Sequence, residues 1–165
     1  MMDLRQHYED QIVRLMASSR TDALTGLGNF RAFREHCAAL DGTPFAVVLL
    51  DMTNLKRANS ILGHFGADTL LQRVGASIRG GGWDAVFRHG GDEFAVVLPR
   101  IKAAAALIVR DRIEHAVGTF TLSDGTQVRA IGAVAHVAPG TNWLDEMNRA
   151  DQALERRKAD WKANA

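Results

Sequence analysis

Phe45-Ala46-Val47-Val48-Leu49-Leu50-Asp51 is an unbroken apolar run closed by a carboxylate. A strand with one wet face alternates polar and apolar residues, and this one does not, so it reads as a strand buried on both faces. The acid at its C-terminal end is conspicuous, because nothing in a two-sided apolar strand calls for a charge there.

Working outward, the stretch from Asn54 to Ile78 has helical periodicity interrupted at Gly63-His64-Phe65-Gly66. It predicts two helices, the second turning Leu70, Leu71, Val74 and Ile78 inward, and Gly80-Gly81-Gly82 ends it. Ala85–Arg88 and Phe94–Leu98 are short apolar strands separated by His89-Gly90-Gly91-Asp92-Glu93, a hairpin with both acids expected at its tip. An Ala-rich helix over 102–117 follows, then strands over 120–122 and 128–137 around Ser123-Asp124-Gly125, and a final helix over 143–162. Upstream, the glycines and capping residues of 21–29 mark a loop leading into a helix over 29–40. Leu4, Tyr8, Ile12, Leu15 and Met16 recur at helical steps within 3–19, an amphipathic helix whose apolar face needs either the body of the domain or the same helix of a second chain. The reading is an N-terminal helix over 1–20 followed by one mixed α/β domain over 21–165.

Composition narrows the function. At 165 residues, 47% hydrophobic and 24% charged, the chain fits one globular core. Twenty Lys and Arg balance nineteen Asp and Glu, so no global field exists to hold a nucleic acid or an acidic membrane, and any phosphate binding must be local. Cys37 is the only cysteine, which excludes an intramolecular disulfide and fits a reducing cytoplasm. The first residues lack a signal-peptide apolar core, and no apolar run is long enough to span a membrane.

Taken singly, Asp51 reads as a helix cap, and Asp92 and Glu93 as turn residues. Together they place three carboxylates near one sheet edge, where they repel unless a cation joins them, and hard oxygen ligands in that number suit Mg²⁺. Gly90 and Gly91 permit positive φ and close approach of the main chain to a bulky ligand. Lys56 lies near the start of a helix whose free N–H groups favour an anion. A metal, a helix N-terminus and a lysine together would suit a triphosphate.

Arg88-His89-Gly90-Gly91-Asp92-Glu93-Phe94 resembles the signature of the GGDEF family of diguanylate cyclases. Asp22–Asn29 looks like that family's DxLTGLxN motif, Asp51–Asn59 is similar to DxDxFKxxN, and Gly63–Asp68 to GHxxGD. Ile131–Ala135 resembles the SiGvA strand, and Ala150–Leu154 the ADxAL of the last helix. The resemblance implies a palm-like, ferredoxin-like central sheet, mixed or antiparallel and flanked by helices. It also implies condensation of two GTP into cyclic di-GMP with release of pyrophosphate, in a homodimer whose chains face each other, each holding one GTP. By matching to the motifs, Asp51, the Met52 carbonyl, Asp92 and Glu93 would hold two Mg²⁺ or Mn²⁺ per active site, with Asp92 and Glu93 catalytic. Asn54, Leu55 and Lys56 would meet phosphates. Asn59 and Asp68, with His64 in the same motif, would read guanine, whose N1–H and N2–H₂ donate to a carboxylate as adenine cannot. Gly90 and Gly91 would line the substrate, and Lys158 and Lys162, four apart, would approach the terminal phosphates, or else stand as two solvated lysines.

Departures are Thr53 for a second Asp, Leu55 for Phe, Ser60 for Asp, Ala67 for Gly and Glu155 for Tyr. None is an expected metal ligand, yet they admit an alternative, a silent GTP-binding module that regulates a partner. The family's inhibitory RxxD product site would put its acid at Asp84 and its arginine at position 81, where Gly81 stands, so product inhibition through that site is not expected.

Overall fold

A computed structural model describes residues 4–83 and 85–164. In chain order the elements are α1 (Leu4–Ser18), α2 (Phe30–Ala39), β1 (Phe45–Met52), α3 (Leu55–Gly80), β2 (Val86–Arg88), β3 (Glu93–Pro99), α4 (Ala103–Val117), β4 (Thr119–Thr121), β5 (Gln127–Val137) and α5 (Trp143–Ala163). The strands form one sheet of order β2-β3-β1-β5-β4, and every pairing between them is antiparallel.

β1 is the central strand and is buried at every residue, as its continuous apolar run requires. Its alternate side chains enter two different layers. Ala46, Val48, Leu50 and Met52 pack with Val74 and Ile78 of α3 and Val109 and Ile113 of α4. Phe45, Val47 and Leu49 pack with Phe33 and Cys37 of α2 and Ala150 and Leu154 of α5. Burying each Val or Leu contributes about 1.5–3 kcal/mol, so this strand alone carries a large share of the hydrophobic stabilisation. Because side chains alternate, Asp51 falls on the same face as Leu49 and is turned toward α5.

The interruption expected at 63–66 is a kink inside α3. Gly63 has φ 70° and ψ 175°, a left-handed excursion open to glycine, and the helix continues on a new axis beyond it. The strand ends differ from expectation in one consequential respect. Glu93 is the first residue of β3, paired in register with Asp51, so only Asp92 belongs to the hairpin turn. β1 also runs on through Met52, and the second strand pair begins at Thr119, because backbone pairing continues past the apolar residues that mark a strand.

On α1, Tyr8, Ile12, Val13 and Leu15 are all more than half exposed. The side chains of Leu4 and Met16 lie outside the described residues, as does Asp84, the acid of the product-site motif. Arg79 Nη2, two residues before Gly81, donates to the Gly26 carbonyl at 2.7 Å. No helix among the described residues is long and apolar enough to cross a membrane.

Leu50 lies one residue before the acid, is 1% exposed and packs between both neighbouring strands. Leu50→Ala is expected to cost about 2–5 kcal/mol in urea unfolding, and a loss below about 1 kcal/mol would mean that β1 is not the keystone of the sheet.

Candidate functional site

The C-terminal end of β1 gathers the acids. Asp51 is paired in register with Glu93 across the β1–β3 ladder, and the Met52 N–H donates to the Asp92 carbonyl at 3.0 Å. Asp51 is 6% exposed and accepts from Lys158 Nζ of α5 at 3.0 Å, while the same ammonium donates to Glu155 at 2.9 Å. Burial pushes the Asp51 carboxyl up to about 6 from its ordinary 3.8, and the charges of Asp92 and Glu93 add to that push against the hydrogen bond from Lys158. For Lys158 burial acts against the charge, but hydrogen bonds to Glu155 and Asp51 outweigh it and raise its pKa. Among the described residues no three His, Cys, Asp or Glu side chains already converge as a metal cluster. The donor chemistry nevertheless fits a hard divalent cation: a buried carboxylate repelled by two neighbouring carboxylates is the arrangement that such an ion relieves.

The next turn of chain leads from β1 into α3. Thr53 is buried, and its hydroxyl donates to the Arg129 carbonyl at 3.2 Å and accepts from the Arg129 N–H at 3.1 Å, clasping β5. Asn54 then takes a left-handed conformation at φ 55°, which asparagine tolerates, and its amide donates to the Gln127 carbonyl at 2.8 Å. With that side chain turned away, no side-chain cap covers the first N–H groups of α3, so Leu55 and the exposed Lys56 begin a helix whose positive end is open to an anion. Asn59 Nδ2 donates to the Leu55 carbonyl at 3.1 Å, within its own helix. His64 is exposed just past the Gly63 kink, and Asp68 is half-buried one turn further on. Lys162 is exposed one turn beyond Lys158.

The turn at Gly90-Gly91 is held from outside. Arg88 Nε and Nη2 donate to the Gly91 carbonyl at 3.2 and 2.7 Å, and its Nη1 reaches both oxygens of Asp22 at 3.2 and 3.3 Å. Asp22 in turn accepts from the Thr25 N–H at 2.8 Å and hydroxyl at 2.6 Å. Burial would raise the Asp22 carboxyl, but the bonds from Thr25 and the Arg88 charge outweigh it and hold it below its ordinary value. The sequence reading missed this fork, although both residues stand in the motifs it singled out. Neither Gly90 nor Gly91 has positive φ, so that expectation does not hold; a Cβ at Gly90 would meet the Glu93 carboxylate where it now lies, and that flexible side chain would have to shift. His89 Nδ1 lies 3.5 Å from the same carboxylate.

A cleft of about 420 Å³ opens on the α2–α5 side of Glu93, walled by Phe30, Phe33, Trp143 and Met147. It shares Glu93 with the acidic edge, but Lys56, Asn59, Asp68 and the two lysines do not line it. Apart from Glu93, the acidic edge and the open helix end lie outside this cleft.

The chain is thus an α/β domain whose antiparallel sheet carries acids at the ends of its central strands, beside an uncapped helix N-terminus. The family described as "Diguanylate cyclase, GGDEF domain" matches residues 19–164, and the chain belongs to it. It is 32% identical over 155 residues to the response regulator PleD of Caulobacter vibrioides (strain NA1000 / CB15N), covering 84% of this chain and 34% of that protein. It is 31% identical over 160 residues to the diguanylate cyclase DgcM of Escherichia coli (strain K12), covering 89% of this chain and 38% of DgcM. The chain thus spans about a third of the length of these curated relatives. A crystal structure of the coiled coil and GGDEF domain of DgcB from Caulobacter crescentus, in complex with c-di-GMP, superposes with a TM-score of 0.76 at 25% identity, covering 94% of this chain and 88% of that one.

Two outcomes follow from the geometry. Asp51 keeps its proton in the fold at pH values where the unfolded chain has lost it. Its stabilising contribution is therefore complete below pH 3.8 and is lost as the pH rises through about 6. In chelator, the melting temperature of Asp51→Asn should lack this downward slope between pH 4 and 6; parallel slopes in parent and variant would disprove the shift.

Arg88→Lys keeps the charge but not the fork. It should cost about 1–2 kcal/mol and speed amide exchange at residues 90–92, and unchanged exchange would show that the turn holds itself.

Proposed function

We propose that this chain is a diguanylate cyclase: two facing copies condense two GTP into cyclic di-GMP and release two pyrophosphates. The observation that carries the reading is the pairing of Asp51 with Glu93 across the central ladder, with Asp92 tied to Met52 and the open N-terminus of α3 beside them.

Asp51, the Met52 carbonyl, Asp92 and Glu93 are the residues that would hold two Mg²⁺ or Mn²⁺, which when bound neutralise the triphosphate and make the 3′-hydroxyl more acidic. The chain's own groups do the rest. Main-chain N–H groups at Asn54–Lys56 and the Lys56 ammonium orient phosphate oxygens. Lys158 and Lys162 add positive charge from α5. Asp68 accepts from the guanine N1–H and N2–H₂, with Asn59 and His64 flanking it on α3. Glu93, held over Gly90, or its neighbour Asp92 takes the proton of the attacking hydroxyl. The 3′ oxygen bonds to the α-phosphorus of the GTP on the facing chain, the bond to pyrophosphate breaks, and a second such step closes the ring. One chain supplies half of this pair, and the exposed apolar residues of α1 offer a surface for the second copy.

A second reading, a GTP-binding module that regulates a partner without turnover, is favoured by the pairing of Asp51 with Lys158, which occupies a carboxylate that the ions require.

Incubation with GTP and Mg²⁺ followed by mass analysis of the product separates the two. Cyclic di-GMP is expected, formed at a specific activity that rises with protein concentration, and Glu93→Gln should abolish it while leaving the melting temperature within a few degrees of the parent. GTP bound but recovered intact selects the regulatory module. Equal binding of ATP and GTP refutes the role given to Asp68.

A further inference from the structure

The inward stripe of α5 runs through Met147, Ala150 and Leu154 and resumes at Trp161. Between them, where the helical step calls for another apolar residue, stand Arg157 and Lys158. Apolar packing therefore does not set the rotation of the helix at this turn. The two cations leave it in different directions: Lys158 toward Asp51 on β1, and Arg157 toward the edge of β5.

That edge is specific. β4 pairs with Gln127–Arg129, and among the described residues β5 has no strand neighbour on that side further along. Arg129 is bonded to β1 through its carbonyl, which accepts from the Thr53 N–H at 2.9 Å. Three residues on, the alternation of an antiparallel ladder turns both the N–H and the C=O of Gly132 away from β1, off the sheet. Neither is left bare. The Gly132 N–H donates to Glu114 Oε1 of α4 at 2.7 Å, and the Gly132 carbonyl accepts from Arg157 Nη1. Arg157 and Glu114 close the ring with bonds of 2.5 Å (Nη1 to Oε1) and 3.3 Å (Nη2 to Oε2). The Glu114 side chain is 11% exposed, and a Cβ at Gly132 would press on Arg110 Cγ at 2.9 Å and Leu50 Cδ2 at 3.0 Å. Two helices on opposite faces of the sheet are thus riveted to one glycine of its edge.

We propose that Arg157, braced by Glu114 on Gly132, is a positioning residue that fixes the rotation of α5 so that Lys158 lies against Asp51 and is presented to the triphosphate. This deepens the function proposed above and rests on it for the ligand of Lys158. A planar guanidinium held at two acceptors sets an angle, whereas a lysine on a flexible stem does not. The geometry of Lys158 is therefore borrowed from its neighbour.

The test uses the full chain and two readouts. One is the ammonium signal of Lys158 in ¹H–¹⁵N spectra, assigned by its loss in Lys158→Ala; the other is GTP affinity by calorimetry. Arg157→Met is expected to shift or broaden that signal and to weaken GTP about tenfold, as far as Lys158→Ala does. The double variant should then be no weaker than Lys158→Ala alone. Arg157→Lys should fail to restore either readout. Glu114→Gln, which still offers an acceptor to the Gly132 N–H, should move both in the same direction by less, and it carries the test should Arg157→Met not fold. An unchanged Lys158 signal in these variants, or additive losses of affinity in the double variant, overturns the proposal and leaves Arg157 a plug for the sheet edge. Should Lys158→Ala bind GTP as the parent does, the triphosphate reading of Lys158 falls, and the ammonium signal alone decides the positioning.

Discussion

A carboxylate buried at the end of the central strand sets the terms for what surrounds it. Asp51 is carried inside by six apolar neighbours whose burial it cannot escape, and there it meets Glu93 across the ladder and Asp92 at the adjoining turn. Desolvation and like charge both disfavour its ionised form, so the fold must supply positive charge at this point. In this structure the charge comes from Lys158. The proposed chemistry replaces or supplements it with divalent ions and moves the ammonium to phosphate. The pair of Asp51 and Lys158 is thus better understood as a site held in tension than as a device for stability.

The groups around this centre are placed largely by side chains that grip main chain. Arg88 holds the Gly91 carbonyl and is itself held by Asp22, so the loop before α2 controls the hairpin turn. Thr53 and Asn54 fasten the end of β1 to β5 through the carbonyls of Arg129 and Gln127. Glu114 and Arg157 fasten α4 and α5 to Gly132. Where a carbonyl or N–H at a turn or sheet edge lacks a strand partner, as at Gly91 and Gly132, a buried one left unmade costs about 1–3 kcal/mol, so such grips both satisfy the backbone and fix the elements around the acids.

The departures from the family pattern take on physical meaning in this setting. Thr53 stands where an aspartate is usual, and its hydroxyl both donates to and accepts from Arg129, which an ionised carboxylate cannot do. Glu155, in place of tyrosine, gives Lys158 a second acceptor on its own helix, exposed enough to contribute little stability but close enough to compete for the ammonium. Ala67 is buried on the second arm of α3, directly before Asp68, so its extra methyl is packed inward beside the expected guanine reader. Nothing in the structure explains Ser60.

Much of this protein was legible in the order of its residues. The unbroken apolar run of β1 marks a two-sided strand, the glycine break in a helical period marks the kink of α3, and the motifs point to the family. Those features are local, and chain chemistry within a few residues decides them. What only the tertiary structure decided are the meetings between residues far apart in the chain: Asp51 with Lys158, Asp22 with Arg88, Glu114 with Arg157 and Gly132. Periodicity says which face of an element turns inward. It does not say which polar group waits on the other side, because that depends on how helices and strands are rotated and set in register once their apolar faces are packed. For the same reason the sequence pattern leaves Glu93 in the turn, whereas its pairing with Asp51 puts it in the sheet.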